Sequence, residues 1–190
     1  VDSGAIRIDG IDIRDMKRDD LRSLFGMVLQ ETWLFSGKIK DNIRYGKPGA
    51  SDDEVIEAAK QANVHHFITT LPNGYDMILN EESSNISNGE KQLITIARAL
   101  LSDPKILILD EATSSVDTRL DALIQEALKT LMKGRTSFVI AHRLSTIRNA
   151  DKILVMRDGN IIETGNHDEL MVQNGFYADL YNSQFDEEDE

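Results

Sequence analysis

Ile106-Leu107-Ile108-Leu109-Asp110-Glu111 is an unbroken apolar run that ends in two acids. Four consecutive apolar residues after Pro104 mark a strand buried on both faces, as in a parallel sheet. Acids at the carboxyl end of such a strand sit where open α/β sheets bind their ligands. Asp110 suits a magnesium ion, usually held through water. Glu111 suits the orientation or deprotonation of an attacking water. Taken alone, an ordinary acidic turn explains the pair equally well.

Downstream the pattern alternates. A helix is predicted over residues 119–132, a strand over 137–141, a short helix over 145–149 and a strand over 152–156. Alternating strands and helices argue for a parallel α/β sheet. Asp158-Gly159 then turns the chain into a last strand, residues 160–164, and two helices close it. Upstream, residues 5–13 read as a hairpin broken at Gly10. Residues 15–25 read as a short helix with Leu21, Leu24 and Phe25 inward, and residues 27–29 as a strand leading to Gln30. Residues 38–88 show helices and no sheet pattern, so they read as a helical lobe inserted between strands. Helices are predicted over residues 36–43 and 52–62, the second with Ser51 as N-cap and Glu54 completing a capping box. Residues 89–101 are strongly helical, with Leu93, Ile96, Ala97 and Leu100 on one face.

Composition narrows the classes. The net charge is −12, which argues against sequence-independent binding to nucleic acid or to an anionic membrane surface. The acidic tail, residues 186–190, reads as a frayed and solvated end. Without cysteine there is no disulfide framework and no thiol chemistry. No apolar run approaches the ~18 residues of a membrane span, and the first residues do not read as a signal peptide.

Three further positions carry chemistry. In Asn85-Ile86-Ser87-Asn88-Gly89-Glu90, Ser87 and Gly89 open a long helix, where free N–H groups and the helix dipole attract anions. A plain serine N-cap is the ordinary alternative. His142 directly follows a strand predicted to lie beside the Asp110 strand, within reach of a phosphate that the acids also serve. A lone histidine is more often structural. Gln30 ends a strand, where its amide suits a magnesium or a water. His65, His66 and His167 have no acid or cysteine at ligand spacing and read as surface residues.

The order of these features resembles the ATP-binding cassette family over nearly the whole chain. A strand-end glutamine precedes a helical lobe. Ser-x-Gly-Glu-Lys-Gln-Leu opens a helix, an apolar strand ends in Asp-Glu, Ala-Thr-Ser-Ser-Val-Asp follows, and a later strand ends in Ala-His-Arg-Leu-Ser-Thr. The resemblance implies a P-loop NTPase-like (RecA-like), mainly parallel sheet core with an inserted helical subdomain. Residues 1–37 and 102–185 form that core, residues 38–101 the helical subdomain, and residues 186–190 the tail. It implies ATP and Mg2+ as ligands. Gln30 and Asp110 then serve the metal, Glu111 is the catalytic base and His142 meets the γ-phosphate. Ser87, Asn88, Gly89, Glu90 and Asp117 meet nucleotide, the last from a loop over residues 114–117. Glu81 contacts membrane-domain loops. The implied partners are a second cassette, paired head to tail, and a transmembrane domain, placing the chain at the cytoplasmic face of a membrane. The stretch Trp33-Leu34-Phe35-Ser36-Gly37-Lys38-Ile39-Lys40-Asp41-Asn42-Ile43 resembles exporters rather than importers.

The sequence departs from the family in three places. The phosphate-binding Gly-x4-Gly-Lys-Ser/Thr does not occur, because Gly37-Lys38 and Gly46-Lys47 are followed by Ile39 and Pro48. The chain is therefore expected to start just after that loop's helix, without the N-terminal part of the fold. The signature reads Ile-Ser-Asn-Gly-Glu where the family favours Leu-Ser-Gly-Gly-Gln. Glu81 lacks its usual flanking glycines. Two rival readings remain: a non-catalytic interaction module, and a cassette ATPase outside transport. The second is disfavoured by the lack of a coiled-coil insertion and by the acidic charge.

Overall fold

A computed structural model describes residues 3–29, 32–80, 84–110, 117–140 and 144–186. The chain divides into two compact units, residues 1–140 and 141–190. In the first unit, β1 (Arg7–Ile8) and β2 (Ile11–Asp12) pair antiparallel. Asp9 and Gly10 both have positive φ, 49° and 83°, the backbone of a tight hairpin turn that glycine adopts without strain. Helix α1 (Arg18–Ser23) follows.

Three parallel strands form the sheet of this unit, in the order β3 (Phe25–Val28), β6 (Ile106–Asp110), β7 (Thr136–Ile140). The apolar run at 106–109 is thus the middle strand. Its burial alternates: Leu107 and Leu109 are buried, while Ile106 and Ile108 are half-buried. Phe25 begins β3 and is exposed, contrary to the expected inward place on a helix. Its backbone is drawn into the ladder with Ile106, and a ladder outweighs local helical periodicity.

Beyond α1, the described α-helices of this unit are α2 (Ile39–Arg44), α3 (Asp52–Gln61), α4 (His65–Thr70), α5 (Asn88–Ser102) and α6 (Thr118–Met132). The predicted capping box on α3 is present. Residues 38–88 are not free of sheet: β4 (Gly37–Lys38) and β5 (Ile78–Leu79) form an antiparallel ladder. That ladder delays the start of α2, since the Ile39 N–H donates to Met77 O at 3.0 Å. Helix α5 packs against α2, α3, α6 and β3, so burial extends beyond one face to Gln92, Ile94, Thr95 and Ala99.

Arg135 ties the turn before β6 to the end of α6. Its guanidinium donates to Pro104 O at 3.0 Å and to Asp103 Oδ1 at 2.7 Å. Asp103 is the left-handed cap of α5, so one side chain positions the entry to the central strand.

The second unit holds α7 (Leu144–Arg148), the antiparallel pair β8 (Ile153–Arg157) and β9 (Asn160–Gly165), α8 (His167–Gln173) and α9 (Phe176–Asp186). The predicted Asp158-Gly159 turn has positive φ at both residues. Ile153, Val155, Leu170 and Tyr177 make its core. Glu163 of β9 fixes the start of α9 by accepting from the N–H groups of Phe176 and Tyr177 at 2.6 and 3.0 Å. Among the described residues no helix is long and apolar enough to cross a membrane. Residues 187–190 of the tail lie outside the described residues.

Candidate functional site

The parallel sheet aligns three carboxyl ends. Val28 of β3 pairs with Leu109 of β6, and Asp110 at the end of β6 pairs with Ile140 at the end of β7. Gln30, Glu111 and His142 follow these three ends in sequence, but all three lie outside the described residues, as do Glu81 and residues 114–116. Asp110 is half-buried at its strand end. A single carboxylate suits magnesium, which keeps several waters and takes its remaining ligands from phosphate. Among the described residues no group of three or more His, Cys, Asp or Glu forms a protein cage for a metal.

The start of α5 is built from the loop before it. Asn85 Nδ2 donates to Ile78 O at 3.1 Å, anchoring the loop to β5. Asn80 Oδ1 accepts from the Ser84 N–H at 2.8 Å. Ile86 then enters the core, Ser87 and Asn88 stay exposed, and Gly89 is buried. Ser87 is the N-cap, in extended conformation. Its N–H and its hydroxyl both donate to Glu90 Oε2, at 2.7 and 2.8 Å. The helix itself supplies no acceptor for the N–H groups of Asn88 and Gly89.

Asp117 caps α6, with Oδ1 accepting from the N–H groups of Arg119 and Leu120, both at 3.1 Å. Glu90 and Asp117 line one cleft of about 720 Å³, together with Lys60, His65, His66 and Arg119. The cleft was not visible in the sequence, because α3, α4, α5 and α6 contribute to it from widely separated positions.

His65 and His167 are not plain surface residues. Each is half-buried, with Nδ1 at 2.9 Å from a tyrosine hydroxyl, Tyr75 and Tyr177 respectively. Burial pushes the Tyr75 phenol up to about 12, so it stays protonated. Histidine and tyrosine ten residues apart were the available signal, in both places.

Arg98 of α5 is a second residue that motif reading missed. Its guanidinium donates to Asn42 O at 2.8 Å and to Trp33 O at 3.1 Å, and lies 5.3 Å from the Tyr45 ring centre. Burial lowers its pKa. The fully buried Asn42 exchanges two 3.0 Å hydrogen bonds with the backbone of Phe35. The exporter-like stretch is thus fastened to the helix that Ser87 begins.

A parallel sheet with an acid at the end of its middle strand, and helix α5 packed against β3, fits the P-loop NTPase class of fold. The ABC transporter family profile matches residues 1–114, and the chain belongs to that family. It is 58% identical over 183 residues to an uncharacterized ABC transporter ATP-binding protein of Bacillus subtilis, YfiC, covering 96% of this chain and 30% of that protein. It is 58% identical over 180 residues to a fatty acid ABC transporter ATP-binding/permease protein of Mycobacterium bovis, covering 95% and 28%. It is 53% identical over 188 residues to an ATP-dependent lipid A-core flippase of Syntrophus aciditrophicus, covering 99% and 31%. The structure of a bacterial Atm1-family ABC exporter with ATP bound superposes with a TM-score of 0.87 at 43% identity, over 96% of this chain and 32% of that one. The chain therefore spans about a third of the length of these relatives.

Proposed function

We propose that the chain is the nucleotide-handling part of an ATP-driven exporter, coupling ATP hydrolysis to transport across a membrane. One observation carries this reading: Asp110 ends the middle of three parallel strands, and Gln30, Glu111 and His142 follow the same three carboxyl ends. In-line attack of water on a γ-phosphate needs positioning and charge stabilisation more than covalent chemistry. Asp110 and Gln30 would hold the magnesium, whose charge offsets that of the phosphates. Glu111 orients the attacking water and takes its proton. His142 holds the phosphate. Residues 38–101 act as the helical subdomain between the two parts of the α/β core, residues 1–37 and 102–185. Ser87, Asn88, Gly89, Glu90 and Asp117 face nucleotide, the signature residues that of a second cassette paired head to tail. A transmembrane domain is the other partner, and the cassette works at the cytoplasmic face of the membrane. The names of relatives that combine ATP-binding and permease functions support this assignment.

The 190 residues alone hold no Gly-x4-Gly-Lys-Ser/Thr. Most phosphate contacts of such a site come from that loop's amides and lysine. The isolated polypeptide is therefore expected to show no turnover and at best millimolar ATP binding. Calorimetry finding micromolar binding would contradict this. In the assembled exporter, Glu111→Gln should keep ATP binding and lower hydrolysis by roughly a hundredfold or more, as for loss of a general base. Near-normal turnover would remove Glu111 from the catalytic role.

A further inference from the structure

Glycine follows asparagine at three places in this chain: Asn73-Gly74, Asn88-Gly89 and Asn174-Gly175. All three asparagines are exposed. In such a pair the glycine nitrogen can attack the asparagine side-chain carbonyl, because glycine has no Cβ to block the approach. The attack needs the shared peptide unit to turn, and the hydrogen bonds of that unit oppose the turn. At Asn73-Gly74 both ends are tied: the Gly74 N–H donates to Leu71 O at 3.0 Å, and Asn73 O accepts from the Asp76 N–H at 2.9 Å. Asn88 and Gly89 lie in the first turn of α5, where the helical ladder takes up the Asn88 carbonyl and Gly89 is buried. The peptide unit joining Asn174 and Gly175 differs. Asn174 is the left-handed cap of α8, with φ 54° and ψ 36°, and its own N–H donates to Met171 O at 3.2 Å. Among the described residues neither the Asn174 carbonyl nor the Gly175 N–H has a hydrogen-bond partner.

We infer that Asn174-Gly175 is a self-modifying site, where the asparagine converts to aspartate and isoaspartate with water as the only other reactant. The Gly175 nitrogen forms a bond to Asn174 Cγ and the Cγ–Nδ2 bond breaks. Nδ2 leaves as ammonia, with the proton that the Gly175 nitrogen gives up. Water then opens the cyclic imide. Opening at Cγ gives aspartate; opening at the main-chain carbonyl gives isoaspartate, whose backbone runs through Cβ and is longer by a carbon. Nothing is oxidised or reduced. Either product puts a carboxylate at the C-terminal end of α8, where the helix carbonyls already carry negative partial charge. The next N–H groups, those of Phe176 and Tyr177, are held by Glu163 at 2.6 and 3.0 Å. Gly175 lies so close to this glutamate that a Cβ there would meet Oε1 at 2.4 Å. A longer backbone immediately before that contact shifts the N–H groups off the carboxylate, and the new charge repels it. Conversion therefore loosens the start of α9. Neither step involves nucleotide.

The test is storage of the intact protein at mildly alkaline pH, both folded and in denaturant. Peptide mass mapping follows the three Asn-Gly sites, with enzymatic detection of isoaspartate. In denaturant the sites should convert at comparable rates, since each is then an unconstrained Asn-Gly. In the folded protein Asn174 should still convert and should outrun Asn73 by roughly tenfold or more, the factor for the two hydrogen bonds that must first break there. Asn88, held in its helix, should also lag. Conversion at Asn73 or Asn88 as fast as at Asn174 in the folded protein, or none at Asn174, overturns the inference. Hydrogen exchange at the Phe176 and Tyr177 amides should quicken in the converted fraction. Unchanged exchange there overturns the loosening of α9. Asn174→Gln, whose longer side chain closes the ring more slowly, should remove both signals. Their persistence in that variant would mean that they arise elsewhere, which also overturns the assignment to Asn174.

Discussion

Helix α3 starts Ser51-Asp52-Asp53-Glu54, and helix α5 starts Ser87-Asn88-Gly89-Glu90. Both are Ser-x-x-Glu, and both close the same reciprocal pair of hydrogen bonds. Their first turns otherwise differ. That of α3 carries three acids, and its glutamate is pinned by Lys47. This favours the helix and repels an anion. That of α5 has one acid, a buried glycine and an exposed asparagine. The pattern that begins a helix is therefore not what makes an anion site. The residues inside the box decide that, together with whatever cation the glutamate already holds.

The largest expected effect comes from putting an α3-like acid into α5. Gly89→Asp should leave ATP binding by the cassette's own half-site intact and abolish ATP-dependent pairing and hydrolysis. The matched change on α3, Asp53→Gly, should leave hydrolysis near normal. Mixing sharpens the contrast. Combine exporter subunits carrying only Gly89→Asp with subunits carrying only Glu111→Gln. In a mixed pair one composite site has neither lesion and the other has both. Hydrolysis should recover on mixing. Its failure to recover with mixed pairs shown to form would mean that Gly89 does not act across the pair.

Serine truncation should come next. Ser51→Ala and Ser87→Ala each remove a cap, which costs about 1 kcal/mol of stability. Only Ser87→Ala should also reduce hydrolysis, by roughly tenfold or more if it removes a hydrogen bond to charged phosphate. Equal hydrolysis in the two variants would erase the distinction between the two helices.

The smallest effect concerns acid. The hydrogen bond from Lys47, followed by that from the Ser51 N–H, lowers Glu54 from 4.5 to about 2. A lowered carboxyl pKa adds stability above its unfolded value, lost as pH falls through the folded value. Glu54 should thus stop supporting the fold as pH drops from about 4.5 towards 2. Lys47→Met should raise the Glu54 pKa and move that loss to higher pH. Carboxyl titration by NMR checks this, and an unchanged titration would show that Lys47 does not hold Glu54.

Much of this architecture was legible beforehand, for a local reason. The run at 106–109 declares a strand, and Ser51 with Glu54 declares a helix start, because the neighbours along the chain supply the physics. What was missed depends on distant partners. Gly37 and Lys38 become a strand only because Leu79 and Ile78 lie opposite. Phe25 leaves its helical pattern only because Ile106 lies beside it. The cleft between Glu90 and Asp117 exists only when four helices meet. Ser87 and Glu90 were both singled out, but their spacing alone did not reveal that the serine's hydroxyl is already taken.

The burial of α5 has a mechanical consequence. Ser87 stands at one end of this helix and Arg98 lies about 16 Å further along the axis, at 1.5 Å per residue. Arg98 grips the carbonyls of Trp33 and Asn42. With neighbours on nearly every side, the helix has no room to bend between these points. It behaves as a push-rod. A displacement imposed at Ser87 is therefore expected to reach the Trp33 and Asn42 carbonyls, and a load placed on those carbonyls to be felt at the serine.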